Sequence, residues 1–258
     1  MKNVLTEKIF IGNIPLLLLR DENSKTAKGV IFIYHGWSSK KENYHFIGSI
    51  FALGGYQVVI PDSHNHGERG ALEYEKESVM EENFWTTVIN SVDEYFKIKD
   101  YLLGTKKLLS EDIFVMGNSM GGMISSGIFV KDEGILSSVV MNGACNWLDL
   151  DERIKETRNI NRGRGISRQV LEKYNPACNL EKFAGRPLLL QHGQEDTSVP
   201  IESQDLFFSQ VKDYYKGKES NLRFSKTPNL NHHKTTGMIE ESLYWFNEIC
   251  DIKNKKDR

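Results

Sequence analysis

The segment Ile113-Phe114-Val115-Met116-Gly117-Asn118-Ser119-Met120-Gly121 decides how this chain folds. An apolar run enters a Gly-x-Ser-x-Gly turn and a glycine-rich stretch leaves it, which predicts a strand, a sharp turn and a helix. Glycine at positions 117 and 121 leaves room in a strained turn where bulkier side chains would collide. We therefore expect Ser119 to lie at the tip of the turn, between the strand and the helix.

The amide of Met120 would then lie at the start of that helix. Amides at this position have no partner within the helix, and the helix dipole favours negative charge beside them. One turn can therefore supply both a serine nucleophile and a site that stabilises a developing anion. Taken alone, the five-residue pattern is equally consistent with a Gly/Ser-rich loop that caps a helix. Other motifs in the sequence are needed to distinguish a nucleophile turn from such a loop.

Strand and helix patterns alternate along the rest of the chain. Continuous apolar, β-branched runs predict strands covered on both faces, and apolar residues spaced near four predict a long amphipathic helix over 77–103. This alternation predicts an α/β fold with a doubly wound, mostly parallel sheet. The pattern weakens over 142–183, which we interpret as a short helical cap insertion in a single domain of residues 1–258. The predicted strands lie at residues 30–34, 57–62, 113–116, 137–141, 187–191 and 222–224.

The composition argues against several classes of partner. The chain has 258 residues, with 33 Lys and Arg against 35 Asp and Glu, for a net charge of −2. This balance gives no overall field that would recruit nucleic acid or an anionic membrane. The apolar stretch 9–19 is interrupted by Gly12-Asn13 and is followed by no small-residue cleavage site. It therefore predicts an outer hairpin rather than a signal peptide or a membrane span.

Cysteine and histidine usage predicts neither a disulfide framework nor a metal site. The three cysteines are odd in number and widely separated, which favours a reducing compartment, the cytoplasm. No Cys-x-x-Cys pair is present, and His64 and His66 have no cysteine or carboxylate cluster at ligand spacing. We therefore expect no metal and no cofactor.

A serine hydroxyl needs a base to take its proton and an acid to orient that base. Both follow Ser119 in the sequence. Asp196 lies just after the strand at 187–191, and His232-His233 follow the next predicted strand. Parallel strands end at one edge of a sheet, so we expect these groups to lie close together there. Glu195 is the rival for the acid, and the Gly-x-x-Asp spacing favours Asp196.

Motifs at several predicted strand ends resemble those of the α/β-hydrolase family, in the chain order Ser, Asp, His. The resemblance covers nearly the whole chain. Within the family, two further motifs look most like bacterial esterases and acyl-peptidase-like enzymes of the dienelactone hydrolase and prolyl oligopeptidase branch. The family motifs are Gly117-x-Ser119-x-Gly121, His35-Gly36-Trp37, and Gly193-x-x-Asp196 with Val199-Pro200; the branch motifs are His66-Gly67-Glu68-Arg69 and His232-x-x-Thr235-x-x-Met238.

The resemblance implies a role for each reacting group. Ser119 would be the nucleophile, His232 the general base and then acid, and Asp196 the group that fixes the imidazole tautomer. The amides of Trp37 and Met120 would form the oxyanion hole.

One departure concerns the position before the catalytic histidine, where the family commonly has glycine and this chain has Asn231. A second histidine, His233, also follows. Of the two histidines, only His232 gives the His-x-x-Thr-x-x-Met register. We therefore prefer His232 to His233 as the base.

Substrate contacts are predicted from three side chains. We expect the ring of Trp37 to wall the acyl pocket and His66 to lie in a polar loop that lines the cleft. Trp147, with Tyr174, is a candidate for a small lid over Ser119, although the two aromatic residues are equally consistent with a core of the insertion itself. Two further residues, Arg162 and Arg164, could bind a substrate carboxylate, but a solvated charged face is favoured.

Together these features predict a serine hydrolase that cleaves a small-molecule carboxylic ester through an acyl-enzyme. A first alternative is a peptidase of the oligopeptidase-like branch, restricted to short peptides because the chain has no room for a large filter domain. A second is a catalytically silent hydrolase fold that serves as a binding or sensing module.

Overall fold

One sheet forms the centre of the molecule. The computed structural model describes residues 3–158 and 165–256, and eight strands of this part of the chain form the sheet. The strands are β1 (Val4–Ile11), β2 (Ile14–Asp21), β3 (Val30–Tyr34), β4 (Gln57–Pro61), β5 (Ile113–Asn118), β6 (Ile135–Met141), β7 (Leu188–Gly193) and β8 (Leu222–Thr227).

The strands follow the order β1-β2-β4-β3-β5-β6-β7-β8 across the sheet. β1 and β2 form an antiparallel hairpin, and β2 is antiparallel to β4. The hairpin turns at Gly12, whose φ of +59° favours glycine. Every other neighbouring pair is parallel. The predicted outer hairpin and the predicted doubly wound, mostly parallel sheet are both confirmed.

Helices cover both faces of the sheet, which explains why the central strands β3, β4 and β5 are buried along their whole length. In the described residues these helices are α1 (His45–Leu53), α2 (Glu77–Gly104), α3 (Met120–Lys131), α4 (Trp147–Arg158), α5 (Arg168–Tyr174), α6 (Ile201–Val211) and α7 (Thr236–Lys256). Along β3, Val30 and Phe32 pack with α2 and α3, whereas Ile31 and Ile33 pack with α1 and α7. Within residues 3–158 and 165–256, no helix combines the length and hydrophobicity that crossing a bilayer requires.

The register of the parallel strands brings their carboxyl ends level. Tyr34 at the end of β3 pairs with Gly117 in β5, and Asn118 pairs with Met141 at the end of β6. Gly193 at the end of β7 pairs with Thr227 at the end of β8. The loops that follow these strands therefore meet at one edge of the sheet, where the predicted site residues lie.

The segment 142–183 joins β6 to β7. Its described residues contain α4, α5 and two short 3-10 turns, and no strand. Side chains of α4 and α5 face a cavity at the carboxyl edge of the sheet. Arg162 and Arg164, considered above as ligands for a substrate carboxylate, lie outside the described residues.

Candidate active site

Ser119 lies in the tight turn that the sequence predicts between β5 and α3. Its φ of +59° and ψ of −123° are strained for a residue with a side chain. A Cβ on Gly117 would lie 2.1 Å from the carbonyl oxygen of Gly121, and one on Gly121 would lie 2.0 Å from that of Tyr34. Both glycines are therefore required by close backbone contacts, as the motif implies.

Ser119 faces a cavity of about 800 Å³ between the sheet edge and helices α2, α4 and α5. His232 lines the same cavity from the loop before α7. The cavity is large enough for a small organic ligand, and most of its wall is apolar. Its apolar side chains include Trp37, Met80, Phe84, Trp85, Met123, Leu148, Ile154, Ile166 and Leu171.

The structure brings Asp196 and His232 into direct contact. The Nδ1 atom of His232 lies 2.7 Å from Oδ2 of Asp196. The other carboxylate oxygen, Oδ1, accepts hydrogen bonds from the backbone N–H groups of Ser198 and Val199 at 2.9 and 2.8 Å. These contacts fix the carboxylate and leave Nε2 of His232 available on the cavity side.

A second histidine contributes to the environment of Asp196. Nε2 of His192 is 3.3 Å from Oδ2 of Asp196 and donates to the carbonyl of Val199 at 2.8 Å. Burial of the Asp196 carboxyl would raise its pKa, but hydrogen bonds from His192, His232 and Val199 outweigh burial and hold the pKa well below its usual range. Asp196 is therefore ionised at neutral pH. Sequence reasoning missed His192, whose only signal is a polar residue near the carboxyl end of β7, the edge at which site residues are expected.

The rival residues lie elsewhere. The side chain of His233 is exposed and is not part of the cavity wall, and Glu195 is exposed beside Asp196. The structure therefore brings together His232 and Asp196, and neither rival. Among the described residues no hydrogen bond joins the Ser119 hydroxyl to His232, and such catalytic bonds are often long until substrate binds.

Asn231, which stands where a glycine was expected, connects the loop of the histidine to the loop of the acid. Its Oδ1 accepts the backbone N–H of His232 at 2.7 Å and that of Thr197 at 3.0 Å. The same two loops touch at Gly193, where a Cβ would lie 2.4 Å from the carbonyl oxygen of Leu230. The departure from the family pattern thus adds a link between the loops.

Two backbone N–H groups beside Ser119 are available to an anion. Met120 is the first residue of α3, and Trp37 follows β3 in the neighbouring loop. A Cβ on Gly36 would lie 3.5 Å from Cβ of Ser119, so this loop is adjacent to Ser119. Neither N–H has a hydrogen-bond partner in the described part of the chain. Both N–H groups are therefore free to donate a hydrogen bond to a ligand beside Ser119.

His66 does not line the cavity, which corrects its predicted role in substrate binding. The side chain is fully buried and stacks on Tyr74, with ring centroids 4.8 Å apart. Its Nδ1 donates to the carbonyl of His64 at 2.8 Å, and its Nε2 accepts the N–H of Ser38 at 3.3 Å. Ser38 adopts a φ of +58°, so His66 supports a strained loop directly after Trp37.

The tryptophan predictions have different outcomes. Trp37 lines the cavity, as expected. Trp147 is fully buried and is not part of the cavity wall, which corrects its predicted substrate contact. It stacks on Trp85, with ring centroids 5.5 Å apart, and Trp85 forms the wall instead. Tyr174 also lies outside the cavity, where its hydroxyl donates to Asp93 at 2.7 Å.

Trp85 was missed by the sequence because it belongs to a long amphipathic helix in which aromatic residues usually fill the core. Its Nε1 donates to Oδ1 of Asp151 at 2.9 Å, which joins α2 to α4.

Within residues 3–158 and 165–256, no group of three or more His, Cys, Asp or Glu side chains is arranged to hold a metal ion.

Comparison with known proteins identifies the family. The model of the prolyl oligopeptidase family matches residues 44–251. The chain belongs to this family. It is 27% identical over 252 residues to YitV of Bacillus subtilis, named as a candidate esterase, covering 92% of this chain and 95% of that one. It is 25% identical over 244 residues to the esterase YjfP of Escherichia coli, covering 92% and 96%.

A solved structure agrees on the fold. TT1662 from Thermus thermophilus superposes with a TM-score of 0.79 at 18% identity, over 96% of this chain and 98% of that one. This prolyl oligopeptidase family member thus has the α/β-hydrolase fold. The predicted resemblance to the esterase and oligopeptidase branch is confirmed.

Proposed function

We propose that this protein is a serine esterase that hydrolyses small carboxylic esters through an acyl-enzyme. Ser119 Oγ attacks the ester carbonyl while Nε2 of His232 takes the hydroxyl proton. The carbonyl oxygen gains negative charge and is stabilised by the N–H groups of Met120 and Trp37, each worth about 2.7–4 kcal/mol. The intermediate collapses as His232 returns the proton to the leaving alcohol.

The second half of the cycle reverses these roles. Water takes the place of the alcohol, His232 removes its proton, and the hydroxide attacks the Ser119 ester. Collapse of this intermediate releases the carboxylic acid and restores the proton to Ser119. Asp196 stays ionised throughout, so the Nδ1–H of His232 remains directed at the carboxylate.

One observation carries the proposal: His232, bonded to Asp196 at 2.7 Å, lines the same cavity as a serine in a strained turn at a helix N-terminus. An Asp-oriented imidazole beside such a serine is the arrangement that activates a hydroxyl. Hydrogen bonds and packing alone would not require a strained serine there. The esterase names of YitV and YjfP support the choice of substrate.

The apolar side chains that form most of the cavity wall support a largely apolar small-molecule substrate, and three acidic and two basic residues also line the cavity. We propose that the protein uses no cofactor and that it binds neither nucleic acid nor membranes. The three cysteines, Cys145, Cys178 and Cys250, are all free thiols, which supports a cytoplasmic location.

Hydrolysis of short peptides is the second candidate, and the family assignment favours it. The two candidates are separated by testing p-nitrophenyl esters and aminoacyl p-nitroanilides with the wild-type protein and Ser119→Ala. The proposal expects ester hydrolysis that Ser119→Ala abolishes, with much slower anilide cleavage. Preferential anilide cleavage would establish the peptidase, and ester hydrolysis unchanged in Ser119→Ala would contradict both.

A further inference from the structure

Asn142 lies at the carboxyl end of β6, beneath the candidate site. It is fully buried and has a φ of +42°, a left-handed conformation that asparagine adopts more readily than most residues. Its backbone N–H donates to the carbonyl of Gln191 in β7 at 2.8 Å. Asn142 is not part of the cavity wall, so it does not contact substrate there.

The side-chain amide of Asn142 bonds to three separate segments. Its Oδ1 accepts the N–H of Gly193 at 3.1 Å. Its Nδ2 donates to Oδ1 of Asn118 at 3.2 Å and to the carbonyl of His233 at 3.0 Å. The amide oxygen therefore accepts one hydrogen bond, and the amide nitrogen donates two.

Each partner lies next to a different reacting group along the chain. Asn118 directly precedes Ser119, and His233 directly follows His232. Gly193 ends β7, the strand that leads to Asp196. One side chain therefore bonds to every segment that carries a member of the Ser, His, Asp set.

We propose that Asn142 is a positioning residue that sets the distance between the Ser119 hydroxyl and the His232 imidazole. The inference rests on the proposed esterase function. No direct hydrogen bond links these two side chains in the described structure, so their alignment depends on the backbone segments that carry them. Nδ2 of Asn142 joins those two segments, and Oδ1 ties both to β7.

Two variants of Asn142 distinguish a role in aligning Ser119 and His232 from a role in stabilising the fold. Asn142→Asp has the same shape and can still accept from Gly193, but its carboxylate cannot donate to Asn118 or His233. Asn142→Gly removes all three side-chain bonds and suits a positive φ. Asn221→Asp is the matched control, because Nδ2 of Asn221 also donates to a backbone carbonyl, that of Gly185 at 2.7 Å. Asn221 directly precedes β8, at the opposite end of that strand from the loop of His232.

The variants are assayed with a p-nitrophenyl ester well below their unfolding temperatures, with the native fold verified by circular dichroism. We expect kcat to fall by about 100-fold in both Asn142 variants, as misplacement of reacting groups by about 1 Å does. KM should stay within about threefold, because substrate contacts are unchanged. Asn221→Asp should keep both constants.

Folded Asn142 variants with kcat near that of the wild type would overturn the inference. Loss of the native fold in both variants would also overturn it, because Asn142 would then support the sheet rather than align the site. Failure of the esterase function itself is distinguishable: in that case the wild type would not hydrolyse the ester, or Ser119→Ala would remain active.

Discussion

Nδ1 of His232 lies 2.7 Å from Oδ2 of Asp196, although the two residues are 36 positions apart in the chain. The contact is possible because β7 and β8 are parallel neighbours whose carboxyl ends deliver both loops to the same edge. Asn231 and Gly193 then hold the loops together. The contact between His232 and Asp196 identifies the histidine and the carboxylate that the first two predictions replace.

Replacing His232 by Ala should lower kcat for a p-nitrophenyl ester by about 10⁶-fold, because no base remains to take the Ser119 proton. His233→Ala is the control, since its side chain is exposed outside the cavity, and it should retain most of the activity. Steady-state kinetics of the purified variants measure both. A large loss only in the His233 variant would reverse the assignment.

Asp196→Asn should lower kcat by about 10⁴-fold while leaving the loop folded, because an amide NH₂ facing Nδ1 favours the wrong imidazole tautomer. Glu195→Gln changes the neighbouring exposed carboxyl and should keep near-normal kcat. The pH dependence of kcat measures the effect. Equal losses in the two variants would mean that the carboxylates act through general charge rather than orientation.

The sequence predicted the elements that carry a periodic or motif signal. The sheet, the elbow around Ser119 and the loops of Asp196 and His232 follow from apolar runs and from the residues directly after them. These are short-range properties. Parallel strand ends meet at one edge, so the site could be assembled without knowing any side-chain contact.

The predictions that His66 and Trp147 contact substrate were wrong because the positions of these side chains depend on contacts between distant segments. His66 lies in the predicted polar loop, but its orientation is set by Ser38 and Tyr74. Trp147 is displaced from the cavity by Trp85, whose helix pattern resembles that of any core-facing helix. No local pattern marks either outcome.

Acid should destabilise the fold between about pH 6.5 and pH 4. His35 is fully buried, its Nε2 accepts the N–H of Ser63, and burial lowers its pKa from 6.5 to about 4. Between those values the unfolded chain takes up a proton that the folded chain does not. The contribution of neutral His35 to the free energy of unfolding is therefore fully present above pH 6.5. It is lost as the pH drops to 4, which lowers the free energy of unfolding by on the order of 3 kcal/mol for this group alone.

Urea unfolding from pH 7.5 to pH 4.5 measures this loss. His35 is surrounded by His66, Asp62 and Lys41, and burial lowers the pKa of His66 as well, which adds to the slope in the same direction. His35→Gln should flatten the curve, and His233→Gln should not. A wild-type free energy of unfolding that stays constant over this range would contradict the prediction.

Trp85→Ala should shift the ester preference toward longer acyl or alcohol groups, because the ring forms part of the apolar cavity wall. We expect the ratio of kcat/KM for p-nitrophenyl octanoate to that for the acetate to rise by about tenfold or more. Tyr174→Phe, outside the cavity, should leave the ratio unchanged. An unaltered ratio in folded Trp85→Ala would show that the substrate does not reach this wall.

If Ser119 is an activated nucleophile, it should react covalently with an electrophile that mimics an acyl group. The protein is treated with a fluorophosphonate probe, and the modified peptide is identified by mass spectrometry. We predict stoichiometric labelling of Ser119 that is lost in Ser119→Ala and strongly slowed in His232→Ala. A folded wild-type protein that fails to react, or that is labelled on another residue, would contradict the proposed chemistry.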